Sequence, residues 1–334
     1  MARILLELTN RCNLRCRHCY DERHAATGYM PLGIVDAVLS EGHACGIDYV
    51  VFTGGEATLH PEFEAIVRRV AAAGYGYGFV SNAITFPRIY PLLLSERAAF
   101  RGVTFSLDGA SAVTHDRLRG RGSFRRVLKA ATLCVFHDLP FSLNMVVTAE
   151  NRHEIPAAVD LAGGIGSCGI RFGHLISTQL SPRPELELSL SQRREVETQI
   201  AALAQRAPVS VAMGPGYYSE SELFPCAPLN LQEFNVDYRG NLTLCCQLSG
   251  IAGANVGADL MGNVADLGLT EACERFRAGV AAYVRDKRAA AERGELGIAD
   301  RFACLYCQKY LGNAAPLHAE DASSTGNAGV PCSQ

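Results

Sequence analysis

The chain has 334 residues, 48% of them hydrophobic, and carries a formal net charge of −3 at pH 7. This length and composition predict a large core shared by one big domain and a small one, and the lack of a basic bias gives no reason to expect nucleic acid as a partner. No apolar run approaches the roughly 20 residues of a membrane span, and Met1 leads into the first strand without a signal peptide.

Strands and helices alternate over the first part of the chain. The predicted strands are Ile4–Leu8, Tyr49–Thr53, Tyr77–Ser81, Val103–Leu107, Phe141–Val147 and Gly169–Phe172. The predicted helices are Gly33–Ala44, Pro61–Ala73, Pro87–Glu96, Phe124–His137, Glu154–Leu161 and Ser191–Arg206. This alternation predicts an α/β fold with a parallel sheet, and periodicity alone leaves a partial barrel and a doubly wound sheet equally open.

Three cysteines, Cys12, Cys16 and Cys19, follow the first strand at x3 and x2 spacing. Three thiolates on one loop can hold three irons of a [4Fe–4S] cube and leave the fourth iron open for a cosubstrate. The alternative is a structural zinc loop. Zinc sites usually take four ligands in paired C-x2-C knuckles, and His18 lies between two of the cysteines rather than at the spacing of a fourth ligand.

A second motif, Gly54-Gly55-Glu56, follows the second strand at the edge of the sheet where parallel α/β folds bind ligands. Glycine allows the backbone to approach a ligand, and exposed amide and carbonyl groups there can bind it. Taken alone, the motif is equally typical of a turn. Behind the cysteine loop, it resembles the Gly-Gly-Glu motif of the radical S-adenosylmethionine (SAM) enzymes.

That resemblance implies a partial (β/α)6 barrel that binds SAM and a [4Fe–4S] cluster. In the family, the amino and carboxylate groups of SAM chelate the open iron. An electron donor such as flavodoxin or ferredoxin then drives cleavage of SAM to methionine and a 5′-deoxyadenosyl radical.

Polar residues at further strand ends are expected to contact SAM or the substrate in a protein of this family. Besides Gly54, Gly55 and Glu56, the candidates are Ser81, Asn82, Ser106, Asp108, Asn144 and Arg171. The alternative for each of them is a residue that only caps a loop.

The C-terminal part has a different character. The segment Phe234–Val236, a Tyr-Arg-Gly-Asn turn and Leu242–Leu244 predict a β-hairpin, and Val264–Arg293 is predicted to be helical with breaks at Gly268 and Gly279. We predict a core domain over 1–207, a linker over 208–222, a small α+β cysteine-rich domain over 223–312 and a disordered tail over 313–334.

A second cysteine set lies in this C-terminal part: Cys226, Cys245, Cys304 and Cys307. Four thiolates can fully ligate one auxiliary [4Fe–4S] cluster, and a four-cysteine zinc site is the alternative. The spacing C-x13-G-x4-C resembles the SPASM extension of peptide-maturing radical SAM enzymes. Cysteines for a second auxiliary cluster are missing after Cys307, so the shorter "twitch" form with one auxiliary cluster is expected.

Three residues are candidates for catalysis. Cys246 directly follows a predicted ligand, and adjacent strand residues face opposite sides, so its thiol can point toward the substrate and return a hydrogen atom to a carbon radical. A buried structural thiol is the alternative. Glu233 and Asp237, on the opposite arm of the hairpin, are acid–base candidates.

The predicted function is hydrogen abstraction from an unactivated C–H bond of a peptide precursor or a small natural product, with epimerisation through Cys246 as one hypothesis. Two-electron oxidation or crosslinking through the auxiliary cluster is the second hypothesis, and a non-catalytic metal-binding scaffold is the third. Because the first strand starts near residue 3, a peptide substrate is expected to need a separate leader-recognition protein or direct capture by the barrel. Thirteen cysteines suit a reducing compartment, so a cytoplasmic protein is predicted.

Overall fold

The computed structural model describes residues 2–19, 27–177, 182–214, 216–221, 226–245, 259–312, 314–318 and 321. Within these residues the strands are β1 (Ala2–Thr9), β2 (Ile47–Gly54), β3 (Gly76–Ser81), β4 (Phe100–Ser106), β5 (Phe141–Val147), β6 (Gly169–His174), β7 (Ser210–Met213), β8 (Glu233–Val236), β9 (Asn241–Thr243) and β10 (Leu260–Asn263). The helices are α1 (Leu32–Glu41), α2 (Phe63–Ala72), α3 (Phe86–Ser95), α4 (Ala112–Arg119), α5 (Ser123–Phe136), α6 (Ile155–Gly164), α7 (Leu190–Ala204), α8 (Val264–Leu267), α9 (Leu269–Glu292) and α10 (Ala303–Tyr310).

All ten described strands belong to one sheet in the order β10-β9-β8-β1-β2-β3-β4-β5-β6-β7. The strands from β8 to β7 are parallel, and β9 and β10 extend the sheet in antiparallel fashion. The predicted parallel α/β sheet and the predicted C-terminal hairpin are therefore confirmed. Because β8 pairs with β1, the hairpin continues the main sheet.

The two faces of the sheet differ in polarity because successive side chains of a strand point to opposite sides. On β1, Ile4, Leu6 and Leu8 are fully buried in the core under the helices, and each such side chain stabilises the fold by about 1.5–3 kcal/mol. Arg3 and Glu7 alternate with them and lie on the opposite side. We call this second side, with Arg3 and Glu7 on β1, the polar face.

The polar face is concave. Arg3 on β1 and Arg171 on β6 are five strand-to-strand steps apart, about 24 Å in a flat sheet. The positive charge of Arg3 nevertheless contributes to a lowered pKa of Arg171, whose largest cause is burial. The strands β1 and β6, each next to an end of the parallel series, therefore approach each other across this face, as in a partial barrel.

The structure corrects several predicted elements. A helix break was predicted at Gly279, but α9 runs through it, and a Cβ atom there would lie 2.7 Å from the sulfur of Met261. Gly279 thus allows close packing of α9 against β10, whereas the predicted break at Gly268, with φ of +77°, is confirmed. The predicted linker contains β7, which pairs with β6.

Four short elements were not predicted from the sequence, namely α4, β7, β10 and α10. The C-terminal C-x2-C pair, Cys304 and Cys307, lies on α10. None of the helices in the described part of the chain is long and apolar enough to cross a membrane.

Candidate active site

The three predicted iron ligands lie on the cysteine loop (residues 10–19), which follows β1. Cys12, Cys16 and Cys19 border a cavity at the C-terminal ends of the first parallel strands. The amide of Cys19 donates to the carbonyl of Cys16 at 3.0 Å, which closes a tight turn between these two thiols. The three thiols therefore share one cavity, as their spacing predicts.

Gly54 and Gly55 allow the end of β2 to contact the cysteine loop. The amide of Gly55 donates to the carbonyl of Thr9, and the amide of Glu56 to the carbonyl of Arg11, both at 2.8 Å. A Cβ atom on Gly54 would lie 2.3 Å from the Thr9 oxygen, and one on Gly55 2.3 Å from the Arg11 oxygen, so only glycine fits at either position. The sequence predicted that such amides would bind the ligand, but these two amides bind the cysteine loop.

Glu56 connects the ends of β2 and β3. Its carboxylate is buried and accepts the hydroxyl of Ser81 at 3.0 Å and the amide of Asn82 at 2.8 Å. Burial raises the pKa of Glu56, whereas these donors lower it. The carboxylate thus fixes the geometry of the cavity wall.

Cys12 is held by nitrogen donors. The side-chain amide of Asn82 lies 3.7 Å from the Cys12 sulfur and donates to Asn13 Oδ1 at 2.7 Å. The backbone amide of Leu14 lies 3.5 Å from the same sulfur. Burial raises the pKa of Cys12, and N–H donors directed at the sulfur favour the thiolate that a metal requires.

Cys16 contacts a buried ion pair. Nη1 of Arg119 lies 4.0 Å from the Cys16 sulfur, and Nε of Arg119 donates to Oδ2 of the fully buried Asp108. Oδ1 of Asp108 accepts the amide of Val146 at 2.9 Å. Burial raises the pKa of Cys16 to about 12, although the charge of Arg119 opposes the shift. The thiol therefore needs a bound metal to ionise, and the guanidinium beside it can stabilise the resulting negative charge.

His18 lies on the cavity wall between two of the thiols. Its Nε2 lies 3.4 Å from Oδ2 of Asp108, and its Nδ1 is buried and has no hydrogen-bond partner among the described residues. Burial lowers the pKa of His18 to about 4, so the ring is neutral. A buried ring nitrogen without a partner, in a residue that borders the cavity, is a candidate to accept a hydrogen bond from a polar ligand.

The predicted cofactor residues divide into two groups. Six of them border the cavity together with the three cysteines: Gly54, Gly55, Glu56, Ser81, Asn82 and Ser106. Asp108 lies behind Arg119, and Asn144 and Arg171 lie on neighbouring strands of the polar face. His18, Thr53 and Arg119 also border the cavity, which their positions in the sequence did not predict.

Three thiols of the second cysteine set lie close to one buried hydroxyl. Burial raises the pKa of Tyr283, and nearby Cys307, Cys226 and Cys304 raise it further. The Tyr283 hydroxyl is buried and has no hydrogen-bond partner among the described residues. An unpaired O–H beside three thiols fits a bound iron–sulfur cluster, whose sulfur atoms accept such donors.

The fourth predicted ligand, Cys245, follows β9. Its backbone amide donates to Oδ1 of the buried Asp259 at 2.9 Å, and burial raises the pKa of Asp259 to about 7. A place for Cys245 in the same cluster stays a prediction.

The arrangement of the thiols bears on the choice between zinc and iron. Within the described ranges, no three His, Cys, Asp or Glu side chains are grouped so that they can hold a single metal ion. A zinc ion requires its sulfur ligands about 2.3 Å from one centre, whereas a [4Fe–4S] cube binds each thiolate to a different iron. A [4Fe–4S] cube at these thiols, rather than a zinc ion, stays a prediction.

Two of the predicted catalytic residues are hydrogen-bonded within the protein, and Cys246 lies outside the described residues. Glu233 is buried and paired with Arg3, whose Nε donates at 2.7 Å. Asp237 accepts the amides of Arg239 and Asn241 at 2.9 Å each. Asp237 thus helps to hold the hairpin turn, and its acid–base role stays a prediction.

Comparison with known proteins places these features in a family context. Residues 6–162 match the family model described as the Radical SAM superfamily. The chain is 31% identical to the AdoMet-dependent heme synthase of Methanosarcina barkeri over 182 residues, which are 52% of this chain and 51% of that protein. It is 26% identical to the PqqA peptide cyclase of Rhodopseudomonas palustris over 258 residues, 75% of this chain and 68% of that protein.

The similarity to the mycofactocin maturase of Mycobacterium tuberculosis is 30% identity, covering 48% of this chain and 41% of the maturase. The chain thus spans about half or less of the heme synthase and of this maturase.

Two solved structures share the fold. Streptococcus suis SuiB bound to precursor peptide SuiA has a TM-score of 0.63 at 15% identity, over 77% of this chain and 62% of SuiB. The anSMEcpe structure with AdoMet and the Kp18Cys peptide has a TM-score of 0.65 at 16% identity, over 83% of this chain and 82% of anSMEcpe.

Proposed function

We propose that the chain is an enzyme that cleaves SAM and abstracts a hydrogen atom from a peptide substrate. In this proposal residues 6–162 form a radical SAM domain. The observation that carries the proposal is the cavity in which Cys12, Cys16 and Cys19 face the Gly54-Gly55-Glu56 turn. A [4Fe–4S] cluster bound to the three thiols would supply the electron that cleaves SAM to a 5′-deoxyadenosyl radical.

The protein groups around the cavity match the polar parts of SAM. Arg119 is a buried cation on the wall, held by Asp108, and suits the SAM carboxylate. The free ring nitrogen of His18 and the hydroxyl of Ser106 offer further polar contacts. Asn82 fixes the orientation of Cys12, so ligand positions are set by residues at the ends of β1, β3 and β4 together with Arg119 on α4.

A peptide is the substrate class that the relatives favour. The PqqA peptide cyclase is similar over three quarters of this chain, and SuiB, which shares the fold, binds a precursor peptide. A small-molecule substrate, a flavodoxin- or ferredoxin-type electron donor, a leader-recognition protein and a cytoplasmic location belong to the same proposal. The second cysteine set supports an auxiliary cluster through the position of Tyr283 beside three of its thiols.

The first test replaces Cys16 by Ala and measures 5′-deoxyadenosine after anaerobic reconstitution with iron, sulfide, SAM and dithionite. The variant should lose SAM cleavage by at least about 10³-fold, because one ligand of a three-thiolate site is removed. Cys168→Ala is the matched control, since Cys168 is an exposed free thiol outside the cavity. Full turnover by Cys16→Ala would contradict the proposal, and a wild type that forms no 5′-deoxyadenosine would favour a non-catalytic scaffold.

The second test concerns the fate of the substrate radical. Epimerisation with Cys246 as hydrogen donor is our first candidate, because this thiol follows a predicted cluster ligand. In D2O, epimerisation predicts a product in which one deuterium replaces the abstracted hydrogen. Mass spectrometry of co-expressed precursor peptides measures this change. Oxidation or crosslinking through the auxiliary cluster predicts a product lighter by two hydrogens. Unchanged product formation by Cys246→Ala would exclude the thiol as the donor.

A further inference from the structure

One row of side chains on the polar face connects the cofactor cavity to a guanidinium. Ser106 on β4 pairs in register with Asn144 on β5, and Asn144 pairs with Arg171 on β6. Residues paired in this way point to the same side of a sheet, and neighbouring strands are about 4.8 Å apart. Because Ser106 borders the cavity, Arg171 lies about 10 Å along the sheet from the cavity wall.

The outer two side chains of this row are open to a ligand. Arg171 is partly covered but keeps part of its surface open to solvent, and among the described residues it makes no hydrogen bond or ion pair. The side-chain amide of Asn144 likewise has no hydrogen-bond partner in the described ranges. Other inward-facing arginines are different, because Arg119 is paired with Asp108 and Arg193 donates to the carbonyls of Leu188 and Leu175. The Arg171 guanidinium therefore has no structural task that the described contacts can account for.

The charges around Arg171 favour an anion. Arg3 approaches it across the concave face, and the negative charge of Glu233 partly opposes this repulsion. Glu233 is already paired with Arg3 through both Nε, at 2.7 Å, and Nη2. Because Glu233 is paired with Arg3, its negative charge is shared between the two arginines. Burial and then Arg3 lower the pKa of Arg171, and a bound anion would offset the repulsion from Arg3.

We propose that Arg171 and Asn144 form a subsite for a carboxylate of the substrate, either an acidic side chain or a peptide C-terminus. This inference rests on the proposed function and adds a substrate class to it. A guanidinium can bind both carboxylate oxygens, and the amide N–H of Asn144 can add a third donor. Anchored in this way, the substrate would present a C–H bond within a few bond lengths of the cofactor cavity. The subsite would thus determine which carbon faces the radical.

The test measures binding rather than turnover. Enzyme loaded with SAM, without reductant, is dialysed to equilibrium against three pools of short peptides: Ac-Gly-Xaa-Glu-Xaa-Gly-NH2, the matching pool with Gln in the centre, and the Gln pool with a free C-terminus. Mass spectrometry gives the fraction retained. Wild type should retain one of the two carboxylate-bearing pools about tenfold more than the capped Gln pool, and the pool that is preferred identifies the source of the carboxylate.

Arg171→Gln should abolish this preference, and Arg171→Lys should keep part of it. Arg101→Gln is the matched control. Arg101 is an exposed arginine at the start of β4, and its side chain donates to the carbonyl of Ala98. Retention of SAM in the same dialysis shows that each variant is folded. Equal retention of the three pools by wild type, or an unchanged preference in Arg171→Gln, would overturn the subsite. In either of these cases, dithionite is then added to the wild type. If no 5′-deoxyadenosine forms, the proposed function fails together with the subsite. If 5′-deoxyadenosine forms, only the subsite fails.

Discussion

Cys16 is connected to the interior through charged residues that lie about a hundred positions away in the sequence. Arg119 contacts its sulfur, Asp108 holds Arg119, and the amide of Asp108 donates to Nδ1 of His115 at 3.1 Å. His115 is fully buried, so its ring can accept this bond only while Nδ1 carries no proton. A single protonation there would disturb the residues that support the cysteine loop.

Replacing His115 by Asn is therefore expected to reduce the acid sensitivity of folding. Burial lowers the pKa of His115 from 6.5 to about 4, so between these values the folded state binds fewer protons than the unfolded state. Wild type should consequently lose about 2–3 kcal/mol of stability as the pH falls from about 6.5 to about 4. Asn offers a neutral acceptor throughout this range, and the variant should lack this part of the loss.

The measurement is urea unfolding at pH 7 and at pH 4.5. His153→Asn serves as the control, because the side chain of His153 is 68% exposed. If the free energy of unfolding has the same pH dependence in His115→Asn, in the control and in wild type, His115 is not the group that causes the loss of stability.

At the scale of elements, long amphipathic segments were predictable and short ones were not. The six predicted strands and six predicted helices are all present, with ends displaced by a few residues. By contrast, β7 has four residues and α10 has eight. Local preference is weak over such lengths, and pairing with β6 or packing against Tyr283 decides the conformation. Gly279 illustrates the same limit. A glycine is needed there because a Cβ atom would lie too close to the sulfur of Met261, and not because the helix breaks.

At the scale of the whole molecule, the C-terminal hairpin extends the same sheet that carries the cysteine loop. Pairing of β8 with β1 places Glu233 beside Arg3. The helices α9 and α10 bring Tyr283 and the C-x2-C pair to Cys226. The cysteine loop and the hairpin that carries Cys245 therefore belong to one continuous sheet.

Cys226→Ala should lower the iron content of the reconstituted protein from about eight to about four atoms per chain, because one of two cubes loses a ligand. SAM cleavage without substrate should be largely retained, since Cys226 does not border the cofactor cavity. Iron and zinc are measured together by elemental analysis, with Cys168→Ala as the control. A wild type with about four irons and one zinc would contradict the auxiliary cluster and support the zinc alternative.

The sequence by itself determined the cysteine triad, the Gly-Gly-Glu turn and the order of strands and helices. These features depend on spacing, glycine and side-chain periodicity, which are local properties of the chain. The tertiary structure decided that Arg119 contacts Cys16, that Glu233 is neutralised by Arg3, that Asp237 holds its own turn, and that Arg171 makes no hydrogen bond or ion pair with the described residues. Such facts depend on distances between residues far apart in the chain, and curvature of the sheet brings these residues together.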